Sequence, residues 1–408
     1  MEKRNLLLFR TVWIFSLFLP LLPLSAKATE MRWFCRYTAM FTSSRSSGTL
    51  ARILPGRHAT AIRAQNVDGS PSGRGEVILA FPAPSERTGS LIDTDYRKPL
   101  ASRSSPRNSE AIRHSRSLSD TGAALVHFEL TDSLIYMQAS VNGSRPLWMI
   151  LDTGASVTVF DESVSKMLGI QFLGQGNAYG PGQGSSQKLA FANHATLMFA
   201  GEELGDQTVA ALPLEWFSRE VGRSTDGFLG SNVFRNYVVE IDYANQVLRF
   251  HDPAAYSYSG SGQRFPLRFI WNDIPTVRAE VVAQDGTAIT AVFLVDSGAT
   301  TAIWLTKAFS EAHPEVLSAQ DTVEVPKVVA VGGQLSARLG RVQAIRLGGF
   351  EVPMPLTQFP QNTSGIFAAP NIMGVIGAQM LRRFTVIFDY PHRQMILEPN
   401  EHFGDQSE

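Results

Sequence analysis

Two aspartates stand in nearly the same setting 144 positions apart: Ile150-Leu151-Asp152-Thr153-Gly154-Ala155-Ser156 and Leu294-Val295-Asp296-Ser297-Gly298-Ala299-Thr300. In each copy an apolar run delivers a carboxylate into a glycine turn. That is a costly place for a charge, because burying one costs several kcal/mol unless something compensates. A second carboxylate compensates by sharing a proton. At about 4 Å two carboxylates repel by roughly 4 kcal/mol at an effective dielectric near 20, on the order of three pK units. Near neutrality such a pair keeps one proton, and its titration belongs to the pair rather than to either member. The ionised member can draw a proton from a water while the protonated member polarises a carbonyl. Water then adds directly, with no nucleophilic side chain and no covalent intermediate.

The elements that must position these carboxylates are also repeated. Gly227-Phe228-Leu229-Gly230-Ser231-Asn232-Val233-Phe234-Arg235 follows the first copy and Gly374-Val375-Ile376-Gly377-Ala378-Gln379-Met380-Leu381-Arg382 the second. Gly230 and Gly377 are 147 apart, as are Asp242 and Asp389, so one short insertion separates the two halves. A long-period repeat of this kind fixes architecture before secondary structure does, and two copies imply two lobes facing across a pseudo-twofold axis. Within each half the reading is mostly β. Val239-Glu240-Ile241-Asp242-Tyr243 and Val247-Leu248-Arg249-Phe250 alternate around Ala244-Asn245, and residues 385–390 turn through Pro391-His392 into residues 394–397. Short helices are expected over residues 161–168, opened by Asp161 and closed by Gly169, and over residues 306–312, stopped by Pro314. Gly230 and Gly377 fall where a strand beside the aspartate turn must pass with no side chain.

On these motifs, residues 125–399 resemble the pepsin and retropepsin superfamily of aspartic proteases, in the bacterial retropepsin-like form that carries both half-sites on one chain. The resemblance implies an all-β, bilobal fold with short helices and a cleft between two pseudo-symmetric lobes. It implies that Asp152 and Asp296 are catalytic and hold one water, that Thr153 and Ser297 hydrogen-bond across to the opposite lobe, and that Gly154 and Gly298 let backbone amides reach the carboxylates. Ala155 and Ala299 depart from the pepsin pattern, which carries a hydroxyl there, and match the retroviral one. Losing a donor to the charged form leaves the pair less acidic, so a working pH nearer neutral is expected. Two glycine-rich stretches, Gly180-Pro181-Gly182-Gln183-Gly184-Ser185-Ser186 and Val331-Gly332-Gly333-Gln334-Leu335, are candidate flap tips over the cleft, with Tyr179, Gly182 and Gly333 their marked residues. For the first, an ordinary surface loop is an equal reading, and Tyr179 reads more simply as a surface or packing tyrosine.

The 408 residues, 44% of them hydrophobic, can bury a sizeable core. The net charge of −1 hides an asymmetry. Residues 29–121 hold 14 Lys+Arg against 8 Asp+Glu, and residues 122–408 hold 18 against 28. The basic stretch, rich in Ser, Arg, Gly and Pro, reads as a largely disordered linker or as a propeptide docking on the acidic unit. Its arginines lack the aromatic interleaving of a nucleic-acid module. Lys3-Arg4, an apolar run over residues 11–24 and Ser25-Ala26-Lys27-Ala28 resemble a secretory signal cleaved after Ala28, with an uncleaved membrane anchor as the alternative. The expected organisation is therefore a signal over 1–28, the leader over 29–121, lobes over 122–260 and 261–400, and a tail over 401–408. Cys35 is the only cysteine, so no intramolecular disulfide forms. The eight histidines show no metal-ligand spacing. The expectation is an exported monomer, periplasmic or extracellular, acting on protein or peptide, with no cofactor, metal or nucleic acid. A catalytically silent peptide-binding scaffold of the same fold, or an interaction protein working through its leader, are the rivals.

Overall fold

The apolar runs that end in the two aspartates are strands in a computed structural model, which describes residues 123–182, 187–271, 273–317, 322–369 and 371–405 and the backbone of Ala61–Arg63 and Val77–Leu79. The last two pair as a short antiparallel ribbon in a leader where the sequence had suggested no element. The signal segment, Cys35 and the rest of the leader lie outside the described residues, as do residues 183–186 of the first glycine-rich stretch.

An eight-stranded sheet is built around β1 (Leu134–Val141), β2 (Leu147–Leu151), β3 (Thr158–Asp161), β4 (Glu202–Leu212) and β5 (Gly227–Leu229). In it β1 pairs antiparallel with β2, β2 parallel with β5, β5 antiparallel with β3, and β3 parallel with β4. A ten-stranded sheet is built around β6 (Ile274–Val282), β7 (Ala288–Asp296), β8 (Ile303–Leu305), β9 (Leu356–Pro360) and β10 (Gly374–Gly377). The same pairings recur there in the same order, β6 with β7, β7 with β10, β10 with β8, and β8 with β9. Strands covered on both faces read as unbroken apolar runs rather than as alternation. That accounts for Trp148-Met149-Ile150-Leu151 and Val375-Ile376.

The two predicted hairpins form as Val238–Asp242 with Val247–His251 and Phe384–Asp389 with Gln394–Pro399. They join in one six-stranded sheet through the pairing of Val239 with Phe388 and Ile241 with Val386. Ala123–His127 closes one edge of this sheet and Gln263–Pro266 the other. The alternate residues Val239, Ile241, Val386 and Phe388 enter the main core, where Phe234 meets Phe388 edge-on at 5.6 Å.

Both predicted helices are present, Glu162–Met167 capped by the Asp161 carboxylate and Lys307–Ala312 capped by the Thr306 hydroxyl. Three more were not foreseen: Glu215–Val221, α1 (Ser231–Asn236) and α2 (Ala378–Leu381). In α1 the first four residues are all buried, so no polar face marks the turn and no helical period shows in sequence. Residues 401–405 are no free tail: the Phe403 ring packs 5.3 Å from Phe384, and its carbonyl accepts from the Arg383 guanidinium. Among the described residues no helix is long and apolar enough to cross a membrane.

Candidate active site

β2 and β7 each carry an aspartate at their C-terminal end into a tight turn, and both carboxylates are 0% exposed. The Gly154 amide donates to Asp152 Oδ1 at 2.7 Å and the Gly298 amide to Asp296 Oδ1 at 2.8 Å. Each glycine also faces the opposite aspartate. A Cβ on Gly154 would lie 2.5 Å from Asp296 Oδ2, and one on Gly298 2.6 Å from Asp152 Cγ. The absent side chains are what let the two carboxylates approach.

Thr153 and Ser297 tie the turns together reciprocally. The Thr153 amide donates to Ser297 Oγ at 3.0 Å and the Ser297 amide to Thr153 Oγ1 at 2.9 Å. Each hydroxyl passes its own proton across, Thr153 to the Val295 carbonyl and Ser297 to the Leu151 carbonyl, both at 2.9 Å. All four bonds are buried. Ser297→Ala should therefore cost about 1–3 kcal/mol, since it strands the Thr153 amide and the Leu151 carbonyl away from water. Urea unfolding measures this, with Ser297→Thr, which keeps the hydroxyl, as control; an Ala variant as stable as wild type would remove the reason for the pairing.

Burial dominates the acidity of the pair. It pushes the Asp152 carboxyl up to about 7, held from going higher by a hydrogen bond with Asp296 and by the Gly154 and Ala155 amides. Asp296 is raised well above the carboxylate range by burial and then by the charge of Asp152. Burial and mutual repulsion thus keep one proton on the pair well into the neutral range. Apart from the proton the pair shares, Oδ2 of each aspartate has no hydrogen-bond partner in the protein.

Gly230 and Gly377 sit where strand becomes helix, capping α1 and α2. A Cβ on Gly230 would come within 2.5 Å of the Val157 carbonyl oxygen, and one on Gly377 within 2.2 Å of that of Thr301. The next amide in each helix holds the aspartate turn: Ser231 donates to the Ala155 carbonyl at 2.9 Å and Ala378 to the Ala299 carbonyl at 2.7 Å. Gly227 and Gly374, at the other end of the same strands, press as closely on the carbonyls of Val159 and Trp304.

The glycine-rich tips meet. The Gly182 amide donates to the Val331 carbonyl at 3.1 Å, and a Cβ on Gly182 would lie 2.4 Å from the Gly333 nitrogen. Tyr179 stays exposed. A residue that sequence reasoning did not single out is Tyr390, fully buried, stacked on Phe234 at 5.2 Å, and with its hydroxyl raised by burial and by Asp273, Asp152 and Asp296. Its signal was the repeated Asp-Tyr of Asp242-Tyr243 and Asp389-Tyr390.

Residues 137–233 match the family model for aspartyl proteases. The matched stretch contains Asp152, Thr153, Gly154 and Gly230 and stops before the second aspartate. Among curated proteins no match was found. Among the described residues no three His, Cys, Asp or Glu side chains gather in a way that could hold a metal ion.

Proposed function

We propose that the chain is a single-chain, bilobal aspartic endopeptidase in which the eight- and ten-stranded sheets are two lobes related by a pseudo-twofold axis. The observation that carries this reading is the interlocked pair of Asp-Thr/Ser-Gly turns, each hydroxyl bonded across to the other turn and each carboxylate pressed against the opposite glycine. Structural carboxylates are not normally placed at 0% exposure in mutual repulsion; a pair meant to share one proton is.

In this mechanism ionised Asp152 takes a proton from a water lying between the two Oδ2 atoms. The resulting hydroxide adds to the scissile carbonyl carbon while Asp296 gives its proton to the carbonyl oxygen. The tetrahedral diol then collapses: Asp152 passes its proton to the leaving nitrogen, the C–N bond breaks, and one diol hydroxyl returns a proton to Asp296. The acid limb of activity follows the first ionisation of the pair, which burial raises, so kcat/KM should begin to fall at a pH well above the ordinary carboxylate range. Ala155 and Ala299 fit that direction, since their side chains lie in apolar clusters and offer the carboxylates no hydroxyl.

Incubation with an unfolded-peptide library, with products read by mass spectrometry, tests the reading. Cleavage blocked by a statine-type analogue of the tetrahedral diol supports it. Binding of the analogue without cleavage would point to the silent scaffold, and neither would remove the assignment. Export through residues 1–28, and a linker or propeptide role for residues 29–121, belong to the same proposal.

A further inference from the structure

Ala190 and Ala211 stand opposite each other on the paired strands Gln187–Phe199 and β4, and Gln175 of the edge strand Gly174–Ala178 stands opposite Ala190. Lys188 is two residues from Ala190 and so shares its face. Two alanines side by side leave that face shallow. The helix Glu162–Met167 and the segment 169–172 after it wall the gap into a cavity of about 550 Å³, which Ile170 and Phe172 also line. Neither aspartate of the pair lines it. This volume, with mainly apolar walls and a few polar groups, is that of a small-molecule site. Met167 and Leu173, on either side of the walling segment, are 58% and 67% exposed, so the surface there is apolar as well.

The polar groups of the recess are unequally engaged. Lys166 is bonded to Glu162 at 2.7 Å, and the Gln171 amide to the Gly169 carbonyl at 3.2 Å. Lys188 differs: among the described residues its ammonium has no ion pair or hydrogen bond. With two lysines against one glutamate, the lining carries one uncompensated positive charge.

We propose that this recess binds an amphiphilic carboxylate, a medium-length acyl chain lying on Ile170, Phe172 and the two alanines with its carboxylate on the Lys188 ammonium. The proposal does not depend on the peptidase reading. The free cation selects a carboxylate over an alcohol or an amine, since it gains a charge-assisted hydrogen bond only from the anion. The apolar walls select an acyl chain over a peptide. A buried peptide would bring an amide and a carbonyl with every residue, each needing a partner that these walls do not offer.

Calorimetric titration of the full-length chain with octanoate tests the site. One site per chain is expected, with affinity rising about fourfold per methylene from hexanoate to decanoate, as burial of each methylene requires. Lys188→Gln should weaken octanoate about tenfold, and octanamide should bind the wild type about tenfold more weakly than octanoate. Ala190→Leu, which fills the recess, should abolish binding, with the urea midpoint confirming that the variant is folded. If that variant does not fold, Lys188→Gln, an exposed substitution, and the chain-length series still decide. No binding to the wild type, or affinity unchanged by Lys188→Gln, would overturn the proposal, as would octanoate bound as tightly by folded Ala190→Leu. Tighter binding of the tripeptide Leu-Leu-Leu than of octanoate would assign the recess to peptide and overturn the acyl reading.

Discussion

Asp296→Asn is expected to reduce peptide hydrolysis about 10⁴-fold, the upper range for loss of a positioned general acid, and Asp152→Asn to do the same for the base. The double variant should be no worse than either single one, because the two carboxylates act as a unit. The same substitution should stabilise the fold, in a pH-dependent way. Both carboxyls are raised in the folded state, so between about pH 4 and 7 the folded chain holds protons that the unfolded chain has released, and stability falls as pH rises. Asparagine removes that linkage. The gap between Asp296→Asn and wild type should be near zero at pH 4 and widen steadily as the pH rises toward 8. Urea unfolding at the two pH values, alongside a peptide cleavage assay, measures both effects. Near-normal turnover would sink the catalytic assignment; a pH-independent gap would mean the carboxyls are not raised.

Gly377→Val should unfold or severely destabilise the chain, by about 3 kcal/mol or more, at the upper end of overpacking costs. The new side chain would start 2.2 Å from the Thr301 oxygen and 2.8 Å from the Ala299 oxygen, and neither is the movable end of a side chain. The Ala299 oxygen is moreover fixed by the Ala378 amide. Gly230→Val meets the carbonyls of Val157 and Ala155 in the same way. Gly404→Val is the control, as nothing lies within 4 Å of a Cβ there, and it should change stability by no more than about 0.5 kcal/mol. A soluble Gly377→Val protein with wild-type urea midpoint would show that the turn can yield.

Much of the candidate site was legible because the proposed chemistry requires particular residue types at particular spacings. Asp152, Asp296 and the glycines at 230 and 377 could be named since a charge after an apolar run, and a repeated glycine in register, have few ordinary explanations. The hairpins at 238–251 and 384–399 were legible for a different reason: they alternate, with one face in the core. What stayed hidden depends on surroundings rather than on residue type. Tyr390 acquires its place only when segments far apart in sequence are brought together, its ring stacking on Phe234. The helices α1 and α2 were missed because their burial erases the periodicity that would announce them.

The pairing of Val238–Asp242 with Phe384–Asp389 has a consequence for how the site comes into being. A site assembled from two separate copies would dissolve on dilution. Here the second half is tethered, so its effective concentration is set by chain length rather than by the number of molecules present. Joining the ends of a loop more than a hundred residues long costs little more than joining those of a loop half that size, because closure entropy grows only logarithmically. The tether also frees the halves from having to be identical. One can carry threonine at 153 where the other carries serine at 297.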